Sequence, residues 1–252
     1  LDPSAVIGGK LPLIDAYGRY GHSENFVCES CEFNNTFLHM NPDTCVSLNI
    51  DEYHLDFFGD LDGIKNIVGA FYPPMGVLVD VNLLKTLPQR EVSAGLVEAI
   101  KMSLTSDKNL FEFIEKSKDL FADIEKIVYE SLLIKRGVVE VDENEHGIRQ
   151  ILNFGHTIGH AIETHAKGEL LHGECVGIGM LHVLKGDLKD RVAAILRKYN
   201  LPTAYNAEKS QLINIINHDK KANDGVVSLI RVEEVGNFII DKVKIKDLEA
   251  LL

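Results

Sequence analysis

Basic residues are in deficit in this chain: 26 Lys and Arg face 38 Asp and Glu among 252 residues, a formal charge of −12. A nucleic-acid binder needs a Lys/Arg surplus or a strong basic patch to meet phosphates, so the balance argues against that class. Long apolar runs are missing too. No stretch approaches the roughly 18–20 uninterrupted apolar residues of a membrane span. The start, Leu1-Asp2-Pro3-Ser4, has no Met, no basic segment and no apolar run, so no signal peptide is visible and Leu1 reads as a cut edge. Cysteine is sparse. Cys28, Cys31, Cys45 and Cys175 do not make a disulfide scaffold, and a reducing, cytoplasmic setting is expected. An organelle transit peptide upstream of Leu1 is compatible with that reading. Internal repeats and low-complexity tracts are also absent. What remains, 45% hydrophobic and 25% charged, suits a globular protein long enough for one large domain or two smaller ones.

The texture changes along the chain. Residues 1–15 and 64–81 are apolar and punctuated by Gly and Pro, and Met75-Gly-Val-Leu-Val-Asp80 reads as a short buried strand. Between them, at about 16–62, no helical or alternating period persists, which points to an irregular insertion. From about residue 84 helical spacing dominates, over Glu91–Ser106, Asn109–Phe121, Ile124–Val141, Asn153–His165, Gly173–Lys185 and Lys189–Tyr199. Val226–Val232 and Asn237–Val243 predict a terminal β-hairpin, with Asp224-Gly225 and Glu234–Gly236 as turn residues. The expected fold is an α/β remnant over 1–85, carrying the insertion, followed by a mainly α-helical metal-binding domain over 86–252 with a small C-terminal hairpin.

Polar chemistry is densest in Arg149-Gln-Ile-Leu-Asn153-Phe-Gly-His156-Thr-Ile-Gly-His160-Ala-Ile-Glu163. His156 and His160 are four apart and share a helix face, as paired metal ligands or a ligand with an acid/base would. Gly155 and Gly159 are poor helix formers, and such a pair one turn apart means that something packs close to the backbone. His172 follows at a glycine-bearing junction, Leu171-His-Gly-Glu174. Glu98 is a carboxylate candidate for a metal triad, although E-x-x-K with Lys101 reads first as a surface ion pair. Lys10, Lys65, Lys135, Arg149, Lys220 and Lys221 supply cations, each of which alone reads as solvated surface charge. Together they would suit a small anion, phosphate or carboxylate. Spacing alone supports a metal-assisted enzyme for such a substrate.

The runs LPQREVSAGLVEAIK, VDENEHGIRQILNFGHTIGHAIE, LHGECVGIGM and HDKK closely resemble the 3-dehydroquinate synthase family of sugar-phosphate cyclases. The resemblance covers nearly everything from Gly63 onward, plus Ile7–Lys10. It implies a lyase of the shikimate pathway, in aromatic amino acid biosynthesis, that uses a divalent metal (zinc, or cobalt) and NAD. The reaction it implies converts 3-deoxy-arabino-heptulosonate 7-phosphate to 3-dehydroquinate and phosphate. By the same resemblance the metal falls to Glu98, His156 and His172, and acid/base work to His160 and Glu145. Lys10, Asn66, Lys101, Lys135, Arg149, Asn153 and Lys220 would bind substrate. Lys65 and the turn Leu83, Leu84, Lys85 and Thr86 would touch NAD. An imidazole can move a proton near neutral pH, and lysines with an arginine can anchor phosphate and carboxylate, so chemistry agrees with those roles. Partners reduce to the sugar phosphate, with a homodimer compatible and neither nucleic acid nor membrane expected.

Four features depart from the family pattern. The glycine-rich nucleotide-binding half is absent, which predicts weak or no turnover by the chain alone. About fifty residues separate Lys10 from Lys65-Asn66, which should be neighbours across one short turn. The span from Met180 to Lys189 is short, and Asp2 stands two positions too early for its expected role. Inside the insertion, Cys28-x2-Cys31-x7-His39-x5-Cys45 loosely resembles a zinc knuckle but with non-standard spacing. The insertion is therefore read as an unstructured segment or translated non-coding sequence. A sister cyclase, a glycerol-dehydrogenase-like enzyme and a non-catalytic metal-binding fragment are the alternatives.

Overall fold

Helix boundaries in the computed structural model follow the capping chemistry of the chain. It describes residues 2, 4–11, 16–24, 26–28, 79–142, 145, 147–219 and 225–252. After a 3-10 turn at Val81–Thr86, helix α1 spans Gln89–Ser106. The Asp107 carboxylate accepts from the Asn109 and Leu110 amides to start α2 (Lys108–Lys116), and Asp119 does the same for Phe121 and Ala122 at the start of α3 (Leu120–Val141). The helix expected over Asn109–Phe121 is therefore two helices; its apolar spacing runs across a break that only the second aspartate cap marks. Helix α4 is His156–Ala166, preceded by a 3-10 segment at Ile148–Asn153. The helix expected from Asn153 starts at His156 because Gly155 adopts φ 78°.

Helices α5 (His172–Val183), α6 (Gly186–Lys198) and α7 (Lys209–Asp219) follow. No helix was expected at α7. Strands β4 (Val226–Glu234) and β5 (Asn237–Lys244) form the terminal antiparallel hairpin, which places Ser228 opposite Lys242. Among the described residues, no helix is long and apolar enough to cross a membrane.

Helix α5 is the axis of the core. Nearly every residue from Gly173 to Val183 is buried, the mark of a helix surrounded by protein on all sides. It packs against α1 and α4, and Leu96, Val97, Ile100, Phe154, Ile158, Ile162, Val176, Ile178 and Met180 belong to one apolar cluster. Cys175 lies inside it, and burial pushes its thiol up to about 12, so it is an inert core residue.

The chain separates into a unit at Leu1–Val77 and a unit at Leu78–Leu252. In the first, β1 (Ser4–Leu11) pairs antiparallel with β2 (Ala16–Arg19) and parallel with β3 (Phe26–Cys28). This corrects the expectation of an irregular segment from residue 16: its first part carries two strands, too short for any period to show. Lys10 belongs to β1 by its backbone. Cys31, His39, Cys45, Lys65, Asn66, Lys220, Lys221, Asp224 and most of the Met75–Asp80 run lie outside the described residues.

Candidate functional site

Glycine sets the positions of three helices before any polar group acts. A Cβ on Gly173 would stand 2.0 Å from the Ala94 carbonyl oxygen, so α5 crosses α1 backbone against backbone. One on Gly179 would stand 2.1 Å from the Gly155 oxygen, and one on Gly159 3.0 Å from the Val176 Cα. The close neighbour expected from Gly155 and Gly159 is thus α5. Glu98 lies one turn beyond Ala94, His172 immediately precedes Gly173, and His156 immediately follows Gly155. Three candidate ligands therefore sit on the positions that the contacts fix most tightly.

A clamp reinforces the first crossing. Arg90 on α1 donates to both carboxylate oxygens of buried Glu174, at 2.7 and 2.6 Å, and to the Glu169 carbonyl at 2.8 Å. Glu174 also accepts from the Leu171 amide at 2.8 Å, capping α5 just before His172. Burial pushes the Glu174 carboxyl up, but its Arg90 and Leu171 hydrogen bonds hold it below the usual range.

The rings of His156, His160 and His172 meet with centroids 5.1 to 5.6 Å apart, and each offers a nitrogen within 4.8 Å of the other two. Glu98 joins them: its Oε1 is 3.7 Å from His156 Nε2 and 3.8 Å from His172 Nε2. Both imidazoles engage an acceptor through Nδ1, the Phe154 carbonyl at 3.1 Å and the Glu163 carboxylate at 3.0 Å. A carbonyl and a carboxylate are acceptors, so each Nδ1 donates and Nε2 is the ring nitrogen turned toward Glu98. Burial and the nearby Lys101 charge lower the His156 pKa to about 4, leaving that ring neutral at pH 7.

Glu98 Oε1 is itself buried without a hydrogen-bond partner. Its other oxygen accepts from Lys101 Nζ at 2.5 Å. Burial pushes the Glu98 carboxyl up, but the charge and hydrogen bond of Lys101 lead the interactions that outweigh it and hold it low. A carboxylate oxygen facing two imidazole nitrogens is the donor set of a divalent metal such as zinc. The spacing is a few tenths of an ångström wider than the roughly 3.4 Å between ligands around tetrahedral zinc. The residues fit the ion. Lys101 is only 3% exposed, which corrects the surface ion-pair reading: this is a buried charge pair beside the site.

Next to this cluster, Glu145, Gln150, Asn153, His156, Thr157 and His160 face Val227, Ser228, Ile230 and Lys242 across an open cleft of about 430 Å³. Asn153 Nδ2 donates to Glu145 Oε1, so the side chains expected for acid/base work and for substrate share one wall. Lys101, Lys135 and Arg149 are not among the lining residues described. Lys242, which was not anticipated, is; its Nζ donates to Ser228 Oγ at 2.7 Å. The cross-strand register of the predicted hairpin was the signal that could have found it. Leu83–Thr86 lies in the exposed 3-10 turn, where Thr86 Oγ1 donates to the Leu83 carbonyl and Lys85 Nζ to Asn82.

Comparison with known proteins gives this geometry a family. Residues 95–222 match the model for the 3-dehydroquinate synthase C-terminal domain, and residues 60–94 that for the N-terminal domain. The 3-dehydroquinate synthase of Lactococcus lactis subsp. cremoris (strain MG1363) is 41% identical over 204 residues, covering 75% of this chain and 57% of the relative. That of Ruminiclostridium cellulolyticum is 41% identical over 207 residues, covering 76% of this chain and 57% of the relative. The chain thus spans a little over half the length of these relatives. Among solved structures, 2-epi-5-epi-valiolone synthase from Streptomyces hygroscopicus subsp. jinggangensis, with NAD+ and Zn2+ bound, superposes with TM-score 0.65 at 24% identity, over 73% of this chain and 56% of that one. A 2-deoxy-scyllo-inosose synthase complexed with carbaglucose-6-phosphate, NAD+ and Co2+ reaches 0.60 at 24%, over 74% and 57%. These two share the fold. With half of its length matched by one family model, the chain belongs to the 3-dehydroquinate synthase family.

Proposed function

We propose that this chain carries the metal and substrate site of a 3-dehydroquinate synthase, a lyase that turns 3-deoxy-arabino-heptulosonate 7-phosphate into 3-dehydroquinate and phosphate. The observation that carries the reading is the unpartnered Glu98 Oε1, buried opposite the Nε2 atoms of His156 and His172. Those three residues would hold a divalent metal, zinc or cobalt. Bound there, the ion would lower the pKa of a substrate hydroxyl and steady the charge that develops on its oxygen.

The remaining roles belong to the chain. His160, on the cleft wall one helical turn from His156, is placed to take or return a proton at a ring nitrogen. Glu145 is its companion, its carboxylate held by the Asn153 amide. Lys101 is assigned to substrate and also keeps Glu98 ionised. Lys10, Asn66, Lys135, Arg149 and Lys220 are assigned to the anionic groups of the substrate, and Lys65 with Leu83, Leu84, Lys85 and Thr86 to NAD. A cytoplasmic setting and a homodimer complete the proposal.

The test is a metal titration of the purified chain, followed by phosphate release from the heptulosonate phosphate with metal and NAD present. One metal per chain, lost in Glu98→Gln, together with binding of the heptulosonate phosphate and any release, expected weak for the chain alone, lost in His160→Ala, supports the reading. Failure to bind zinc or cobalt overturns it. Metal binding with no affinity for the heptulosonate phosphate favours the non-catalytic metal-binding alternative.

A further inference from the structure

The His172 ring has a carboxylate on each side, and the outer one, Glu163, which alone is within hydrogen-bond distance, has no role in the chemistry above. Its Oε2 stands 3.0 Å from His172 Nδ1, while the opposite ring nitrogen faces Glu98 at 3.8 Å. Glu163 lies in the last turn of α4, where a carboxylate works against the helix dipole. Its favourable interaction therefore comes from His172 rather than from its own helix. The pair is partly exposed, at 39% and 44%, so it adds little to the stability of the fold. His156 is served differently, by a main-chain carbonyl that no side-chain substitution removes.

We propose that Glu163 is the positioning residue of His172: it holds the proton on Nδ1, turns Nε2 toward Glu98 and raises the basicity of that nitrogen toward a divalent cation. The inference rests on the metal reading above. A carboxylate on the far nitrogen of a ligating histidine both selects the tautomer and strengthens the ligand, and its removal weakens metal affinity by about 10–100-fold. Because the first crossing of α1 and α5 is fixed by backbone contact, Glu163 adjusts only the ring and not the helices.

Cobalt(II) is the probe, since its visible absorption reports the ligand field. Wild type, Glu163→Ala, Glu163→Gln and His172→Ala are titrated with Co2+ against a competing chelator, and each metal-free chain is melted. The expected result is affinity about 10–100-fold weaker in Glu163→Ala with a shifted visible spectrum. Glu163→Gln, whose amide oxygen still accepts from Nδ1, should lose less. Metal-free melting temperatures should not move, which a merely structural role would not predict. Cobalt affinity and spectrum of Glu163→Ala equal to wild type, with His172→Ala impaired, overturns the role of Glu163 and leaves the metal site standing. A wild-type chain that does not bind cobalt overturns the metal reading and this inference with it.

Discussion

Two helix crossings in the same core are built in opposite ways. At the site, α1 meets α5 through backbone, with room for nothing larger than hydrogen at Gly173. Away from it, α2 meets α6 through side chains: Arg191 donates to both oxygens of Glu115 at 2.8 Å and lies 4.9 Å from the centre of the Phe111 ring. A side-chain contact can change rotamer when a neighbour changes. A backbone contact cannot, so the candidate ligands stand where the least adjustment is available. Precision is concentrated at one crossing and tolerance is left to the other.

Breaking the rigid crossing should have the largest effect. Gly173→Ala drives a Cβ into the Ala94 carbonyl, and we expect a loss of about 3 kcal/mol in a denaturant melt, together with loss of metal binding. An alanine variant as stable as wild type would show that the crossing can slide.

Next comes the charge pair beside it. Glu98→Ala leaves the Lys101 ammonium buried without its partner, at an expected cost of about 2 kcal/mol. Adding Lys101→Met should recover the stability but not the metal, separating packing from ligation. If the double variant binds cobalt, Glu98 is not a ligand.

The smallest effect is expected at the adaptable crossing. Glu115→Gln should cost no more than about 1 kcal/mol, because that pair is part-exposed. Its pH dependence has a definite sign. The Arg191 hydrogen bonds hold the folded Glu115 carboxyl below its ordinary value of 4.5, so its contribution is present above that value and lost as pH falls through the folded pKa. Wild type and Glu115→Gln should therefore converge in melting temperature in acid. A gap that persists there would assign the effect to shape rather than charge.

The amino-acid order made some of this legible. Spacing alone put His156 and His160 on one helix face, and the glycines at 155 and 159 announced a close neighbour. What that neighbour was could not be read, because Val176 belongs to another helix. Glu98 looked like half of a surface pair for the same reason: burial of Lys101 is a property of the packed core. Helix α7 went unread although Leu212, Ile213, Ile215 and Ile216 carry helical spacing, since Asn214 and Asn217 interrupt it. Strands β2 and β3 are simply too short to show a period. The resemblance carried the assignment of Glu98, which local pattern could not have made.

Helix α5 begins with His172 and then runs through the middle of the core. The outermost candidate ligand and the innermost apolar side chains are thus residues of one cooperative element. An ion held at His172 would be felt throughout the unit: at one hundred times its dissociation constant it would add about 2.7 kcal/mol to global stability. A chelator would then act on this chain as a mild denaturant, and the supply of metal would govern how long the folded molecule survives proteolysis.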